Sequence, residues 1–316
     1  MSVYRALAPA KVNLGLFVGP VRAEDGRHEL ASVMQSISLA DELTLAPARS
    51  GAEEDELICP GVPGPAQENL AGAALRAFRQ STGWEGPPVR LTVAKRIPLA
   101  AGLAGGSADA AATLRLAARA SGIGDKELLG ELAAELGADV PAQVSPGRWL
   151  ATGAGERLAG LPAPSRPLGV LVLALEAELS TAEVYAQADR LGGGRSPREL
   201  KDLAGRLRRA LELGAQAPAE PELLHNDLER AAISLCPQIA DALRQAREAG
   251  AEQAFVSGSG PTVVGLFPRA NALGRVERAV AELSGRVPAP IAATSVGAAF
   301  GEPVEVLDPG EDQPAS

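Results

Sequence analysis

Residues 98–111 read PLAAGLAGGSADAA, with Gly102, Gly105 and Gly106 set among alanines and followed by Ser107 and Asp109. Ahead of them, VRLTVAKRI (residues 89–97) alternates apolar and polar side chains, the pattern of a strand with one buried face, and stops at Pro98. Behind them, SADAAATLRLAARASG (residues 107–122) has helical spacing and meets Gly122 near its end. The order is therefore strand, glycine-rich turn, helix. A helix N-terminus carries unpaired N–H groups and the positive end of the helix dipole, and glycine lets backbone approach a ligand closely. Together they make a cradle for phosphate. No lysine follows the last glycine, so the turn is not a Walker loop, and it lies too far from the first strand for the dinucleotide fingerprint. Taken alone, it is either a phosphate cradle or a tight strand-to-helix connection without a ligand.

The 316 residues suit two domains. A formal net charge of −9 argues against a general binder of nucleic acid or of membrane surfaces, though not against a local basic pocket for a small anion. Cys59 and Cys236 have no metal-ligand spacing and are expected as buried thiols in a reducing compartment. No apolar run approaches the ~20 residues of a membrane span, and the N-terminus, with Arg5 and Lys11, does not have the form of a signal peptide. The protein is expected in the cytoplasm.

Working outward, YRALAP and KVNLGLFV predict two strands broken at Pro9, and VMQSISL and ELTLAP two more. NLAGAALRAFRQ predicts a helix starting near Glu68, and KELLGELAAELG a second helix after the one at 107–122. RWLATGAGERLAGL predicts a hairpin, and LPAPSRP (residues 161–167) a linker. Beyond it, LGVLVLAL reads as a buried strand and STAEVYAQADRL as a helix capped by Ser180 or Thr181. Three further helices follow, and the run QAFVSG, TVVGLF, ALGRVERAVAELSG, IAATSVG predicts strand, strand, helix, strand. Residues 302–316 are acidic and proline-bearing and are expected to be a disordered tail.

PAKVNLGL, the loop at 98–111 and VSGSGPTVVGLF, in this order, resemble the superfamily of galactokinase, homoserine kinase, mevalonate kinase and phosphomevalonate kinase. DGRHEL, ENL, LGADVP and HNDLE narrow the resemblance to the kinases of 4-diphosphocytidyl-2-C-methyl-D-erythritol in the non-mevalonate isoprenoid pathway, and it spans residues 6–297. It implies an α+β fold of two domains: an N-terminal ATP-binding domain like ribosomal protein S5 domain 2 (residues 1–161) and a ferredoxin-like domain (residues 162–301). The implied partners are ATP, Mg2+ and a cytidine diphosphate-linked substrate, with the chain a monomer or a weak homodimer.

The resemblance also implies roles. Asp139, in LGADVP, matches the catalytic aspartate, accepting the proton of the attacking hydroxyl, and Lys11 matches the catalytic lysine. Asn13, two residues on and on the same strand face, is expected at the substrate. Asn69, Leu70 and Lys95 match the adenine side, and Pro98, Leu99, Ala100, Ala101, Gly102, Leu103, Ala104, Gly105, Gly106, Ser107 and Ala108 the phosphate loop, with Ser107 a candidate magnesium ligand. His28 is expected to read the cytosine edge. Arg27 stands where the family usually has a tyrosine stacked on the base; a guanidinium plane also stacks on bases. Tyr185 is either the aromatic on the other face of the base or a core residue. Thr181, Gly258 and Ser259 complete the substrate side, the SGSGPT turn closing the cleft. His225 has no assigned role. Ala104 replaces a glycine often found in the loop, where a positive φ would be disfavoured for alanine. Other members of the superfamily, acting on homoserine, mevalonate or a sugar, and a nucleotide-binding protein without catalysis are the alternative readings.

Overall fold

The computed structural model describes residues 2–307 except 64, 66 and 67. In chain order its elements are β1 (Val3–Val21), β2 (His28–Pro47), β3 (Glu56–Ile58), α1 (Leu70–Thr82), β4 (Val89–Ala94), α2 (Gly105–Ser121), α3 (Lys126–Leu136), α4 (Val140–Val144), β5 (Arg148–Gly153) and β6 (Arg157–Leu161). There follow β7 (Gly169–Leu173), α5 (Thr181–Leu191), α6 (Pro197–Leu211), α7 (Glu229–Leu235), α8 (Gln238–Glu248), β8 (Gln253–Val256), β9 (Val263–Phe267), α9 (Ala272–Glu282), β10 (Pro290–Thr294) and β11 (Val304–Val306).

Two sheets result. The first runs β11-β1-β2-β4-β3, with the β5–β6 hairpin paired to the far half of β2. The second is antiparallel, in the order β10-β7-β9-β8. With its strands numbered along the chain, that order is fourth, first, third, second; helical connections join the first strand to the second and the third to the fourth, the ferredoxin-like arrangement.

The run LGVLVLAL has no polar face because both sides of β7 are covered. Val170 and Val172 join the core shared with the first sheet, while Leu171 and Leu173 pack against α8 and α9. The stripe Leu200, Leu203, Leu207 and Leu211 brings α6 onto the shared core, against Phe17, Val33 and Leu150. On the other side, α1, α2 and α3 cover Leu43, Leu45, Leu91 and Val93. Alanines at 71, 74, 110, 111 and 117 are buried in that layer, allowing helices and sheet to approach closely despite the scarcity of aromatics.

Three expectations change. Pro9 does not break the first strand: β1 is continuous, with a bulge between Pro9 and Lys11 that absorbs the missing donor. VMQSISL and ELTLAP are likewise one strand. The expected disordered tail begins too early, because Val304–Val306 pairs antiparallel with Val3–Arg5 and covers the outer edge of the first sheet; residues 308–316 lie outside the described residues. The chain thus returns to the first sheet after completing the second.

Arg115 anchors that return. Its buried guanidinium donates to the carbonyls of Gly301 (2.9 Å), Gln143 (2.5 Å) and Leu7 (2.9 Å), joining the C-terminal segment, α4 and β1. Burial alone pushes its pKa down to about 10. Arg115→Met leaves these carbonyls without their donor, and we expect it to lower unfolding stability by about 3 kcal/mol, measured by urea denaturation followed through tryptophan fluorescence.

Candidate active site

A cleft of about 970 Å³ opens between the two sheets. Its floor is the middle of β1. Lys11 is 7% exposed, and its ammonium donates to Asn13 Oδ1 at 2.9 Å, so the two side chains share a face as their spacing predicts. Asn13 Nδ2 donates to Ser32 Oγ (2.8 Å), and Ser32 Oγ to the Gly15 carbonyl (2.7 Å). This chain of hydrogen bonds fixes the ammonium. Its remaining reach is toward Asp139, whose Oδ2 lies 3.8 Å away.

Asp139 occupies the N-cap position of α4 but makes no capping hydrogen bond. Its carboxylate is 38% exposed and lines the cleft. The helix is pinned behind it by Gln143, which donates to the Pro9 carbonyl (3.1 Å), and by Arg115 at its last turn.

The glycine-rich loop forms the adjoining wall. Among the described residues, Asn69, Asp125, Ser180 and Ser196 cap their helices with side-chain oxygens, whereas Ala104, at the start of α2, supplies no such cap. The first helical bond runs from Ala108 N–H to the Ala104 carbonyl (2.9 Å), so the amides of residues 105–107 have no carbonyl of their own helix to bond. Gly105 and Gly106 line the cleft. Lys11 N–H donates to the Leu103 carbonyl (3.1 Å), tying this loop to the strand that carries the ammonium. Ala104 does adopt the positive φ that disfavours alanine, at 57°, as does Ala100 at 53°.

Below the loop lies a carboxylate–ammonium–carboxylate cluster. The Lys95 ammonium bonds Asp41 Oδ2 and Asp109 Oδ2, the latter at 2.7 Å. Asp41 Oδ1 accepts from the N–H groups of Arg96 (2.5 Å) and Ile97 (2.8 Å), fixing the backbone that enters the loop. Lys95 borders the cleft, but its charge is committed to these two acids rather than presented freely. Burial pushes the Asp109 carboxyl up to about 7 against the opposing pull of Lys95. Its Oδ1 is buried without a partner.

The opposite end of the cleft is aromatic. The rings of His28 and Tyr185 lie 5.1 Å apart at 32°. His28 Nδ1 is 2.9 Å from the Gly19 carbonyl and Nε2 is 3.3 Å from Asp189. Burial and the Asp139 charge push the Tyr185 hydroxyl up to about 12, with Arg27 opposing. Arg27 donates to the Ala154 carbonyl at 2.7 Å while lining the cleft. Thr181 Oγ1 lies 3.0 Å from Ser259 Oγ, joining α5 to the turn between β8 and β9.

Most of the site residues expected from the sequence meet here: Lys11, Asn13, Arg27, His28, Lys95, the loop from Pro98 to Gly106, Asp139, Thr181, Tyr185, Gly258 and Ser259 all line this cleft. Asn69 instead borders a smaller pocket of about 300 Å³ with Leu57, Cys59 and Val62, and its side chain caps α1. Leu70 reaches toward Gly106. Ser107 and Ala108, in the first turn of α2, are not among the residues that border the cleft. Sequence reasoning missed Ser32, Asp41, Asp109 and Asp189. Only Asp189 carried a local signal, one helical turn beyond Tyr185 on the same face.

Residues 69–147 match the family model for the GHMP kinases N terminal domain, and residues 203–284 that for the GHMP kinases C terminal. The class defined by this fold and cleft is the GHMP kinase. A 4-diphosphocytidyl-2-C-methyl-D-erythritol kinase of Anaeromyxobacter dehalogenans strain 2CP-C is 42% identical over 83% of this chain and 80% of its own. One from Nocardia farcinica is 41% identical over 96% and 95%. The chain belongs to the 4-diphosphocytidyl-2-C-methyl-D-erythritol kinase family. A crystal structure of a 4-(cytidine 5'-diphospho)-2C-methyl-D-erythritol kinase superposes with a TM-score of 0.72 at 34% identity, covering 93% of this chain and 99% of that one. Homoserine kinase from Cytophaga hutchinsonii, at 17% identity and a TM-score of 0.73 over 97% and 98%, shares the fold.

Two outcomes follow from the loop and the cluster. Glycine adopts a φ of 57° without steric cost, so Ala104→Gly is expected to stabilise the fold by a net of roughly 0.5–1 kcal/mol in urea denaturation. A carboxyl whose pKa rises on folding binds its proton more tightly in the folded state, so its contribution to stability falls as pH rises from the ordinary value of 3.8 to about 7. Asp109→Asn carries no such proton, and its stability relative to wild type should improve between pH 4 and pH 7, read from urea midpoints across that range.

Proposed function

We infer that this chain is an ATP-dependent kinase that phosphorylates the 2-hydroxyl of 4-diphosphocytidyl-2-C-methyl-D-erythritol, a step of the non-mevalonate route to isoprenoid precursors. The observation that carries the reading is the meeting of the Lys11 ammonium and the Asp139 carboxylate, 3.8 Å apart, beside the uncapped amides of α2 in one cleft. The curated relatives support the substrate, at 39–43% identity.

The chemistry proposed for each residue follows from its place. The amides of Gly105, Gly106 and Ser107 and the dipole of α2 hold the terminal phosphates of ATP. The substrate's hydroxyl lies against Asp139, which accepts its proton as the oxygen forms its bond to the γ-phosphorus and the bond to the leaving ADP oxygen breaks. Lys11, held by Asn13, stabilises the negative charge that develops on the attacking oxygen. The proton ends on Asp139, and the products are ADP and the phosphorylated alcohol.

Mg2+ would neutralise phosphate charge. Among the described residues no group of three or more His, Cys, Asp or Glu is arranged to hold a metal; in this reading phosphate oxygens would supply most of its ligands, and the Ser107 hydroxyl, one residue beyond the cleft-lining Gly106, would be the protein's contribution. Cytosine takes the end of the cleft bordered by His28, Tyr185, Asp189 and Arg27. Tyr185 offers a ring face, and His28 Nε2 and Asp189 offer polar groups to the base edge. Thr181, Gly258 and Ser259 border the stretch between base and reacting hydroxyl. Asn69 and Leu70 face the adenine; residues 1–161 hold the nucleotide and the catalytic pair, and residues 162–301 close the substrate side together with Asn13, Arg27 and His28.

Asp139→Asn keeps the size of the side chain but cannot accept the proton. In a coupled ADP-release assay with the diphosphocytidyl methylerythritol substrate, we expect kcat to fall by about 10²–10⁴-fold, and Lys11→Ala to fall comparably. Undiminished turnover by Asp139→Asn would remove the proposed base.

A further inference from the structure

The turn between β8 and β9 reaches from the second sheet to the nucleotide side of the cleft, and one of its side chains has a place there that Gly258 and Ser259 do not explain. Thr262 is fully buried, and its hydroxyl donates to the Ala101 carbonyl at 2.6 Å. Ala101 belongs to the phosphate loop and borders the cleft, whereas Thr262 does not. Its two neighbours, Ala100 at φ 53° and Gly102 at φ 69°, both have left-handed backbone. The peptide group between residues 101 and 102 therefore sits between two sharp reversals, with no helix or strand ladder to set its orientation.

That peptide group is planar, and its carbonyl and N–H point in opposite directions. Fixing the Ala101 oxygen to Thr262 consequently directs the Gly102 N–H away from the second sheet. The anchor is itself rigid. Ser257 N–H donates to the Thr262 carbonyl (2.9 Å), closing the turn. Asn226, from the HNDLE stretch, donates to the carbonyls of Val256 (2.7 Å) and Gly258 (2.8 Å), holding the arm of the turn nearest Lys11. The contact is also close: a Cβ on Gly102 would stand 2.7 Å from the Gly260 oxygen.

We infer that Thr262 is a positioning residue for ATP, its hydroxyl holding the Ala101 carbonyl so that the loop leading to Gly105 and Gly106 keeps its phosphate-binding shape. This rests on the kinase reading above. A methyl group in place of the hydroxyl fills the same space but leaves the buried Ala101 carbonyl unpaired, so the loop loses its fixed orientation at the peptide group.

The test is binding of the non-hydrolysable analogue AMP-PNP by isothermal titration calorimetry to wild type, Thr262→Val and Thr262→Ser, with folding of each checked by circular dichroism. Removing the hydroxyl should weaken AMP-PNP about five- to tenfold, the value of one hydrogen bond, while serine, which keeps the donor, stays within about twofold of wild type. Cytidine diphosphate affinity should be unchanged in both. A packing role predicts the reverse order, since valine keeps the branched shape and serine loses it. Wild-type affinity in Thr262→Val, or equal weakening in both variants, would overturn the inference. If Thr262→Val does not fold, Thr262→Ala takes its place with the same expected loss and the same overturning result. Wild-type protein that fails to bind AMP-PNP would sink the kinase reading itself, whereas wild type that binds while the valine variant matches it sinks only the role of Thr262.

Discussion

The structure is organised around a charge that must stay buried. Lys11 lies in the middle of β1, where the chain passes from the core under α1 and α2 into the core shared with the second sheet. A buried ammonium is costly unless polar partners surround it. Asn13 supplies one within the same strand, but the others require distant segments: Ser32 from β2 to hold Asn13, and Asp139 from the start of α4 to balance the charge. Each of these is then held in turn, α4 by Gln143 and Arg115, and β1 by the HNDLE stretch, whose Asp227 accepts from Val18 N–H. The bulge at Pro9 and Lys11 marks where the strand departs from regular pairing to set this up.

The phosphate loop follows the same logic from the opposite sign. Its amides carry partial positive charge and have no side-chain cap, so they are poorly satisfied by the protein alone. The loop is kept open by contacts on every side of it rather than by its own residues. Asp41 fixes the backbone entering it, Lys11 N–H holds Leu103, and Lys95 joins Asp41 to Asp109 on α2. Two non-glycine residues in left-handed backbone show that the surroundings dictate the shape against local preference.

Much of this was legible along the chain. Periodicity located the longer helices but not the short α4, and the stretch from Gln253 to Thr294 read correctly as strand, strand, helix, strand because each element alternates or repeats within a few residues. That Asn13 shares a face with Lys11 was legible from spacing, while its place at the site came from the resemblance. Other features misled. Proline at 9 normally ends a strand, yet a bulge accommodates it here. The acidic composition after residue 301 suggested disorder, yet Val304 and Val306 met an open strand edge at Val3–Arg5. Lys95 was expected only at the adenine side, and its commitment to two carboxylates was not legible because neither is its neighbour in sequence.

What the sequence by itself determined is local: the order of elements, the amphipathic stripe of α6, the glycine-rich junction at α2, and, through several motifs kept in order, the family. Those properties depend on side-chain spacing over a few residues, which the chain carries whether or not it is folded. Only the tertiary structure decided that Asp139 leaves its helix uncapped and faces Lys11, that Asp41 and Asp109 share one ammonium, and that Thr262 reaches Ala101 across 161 positions of sequence. Each of these is a polar contact between groups far apart in the chain, and such contacts form only when packing removes water and leaves each group no other partner.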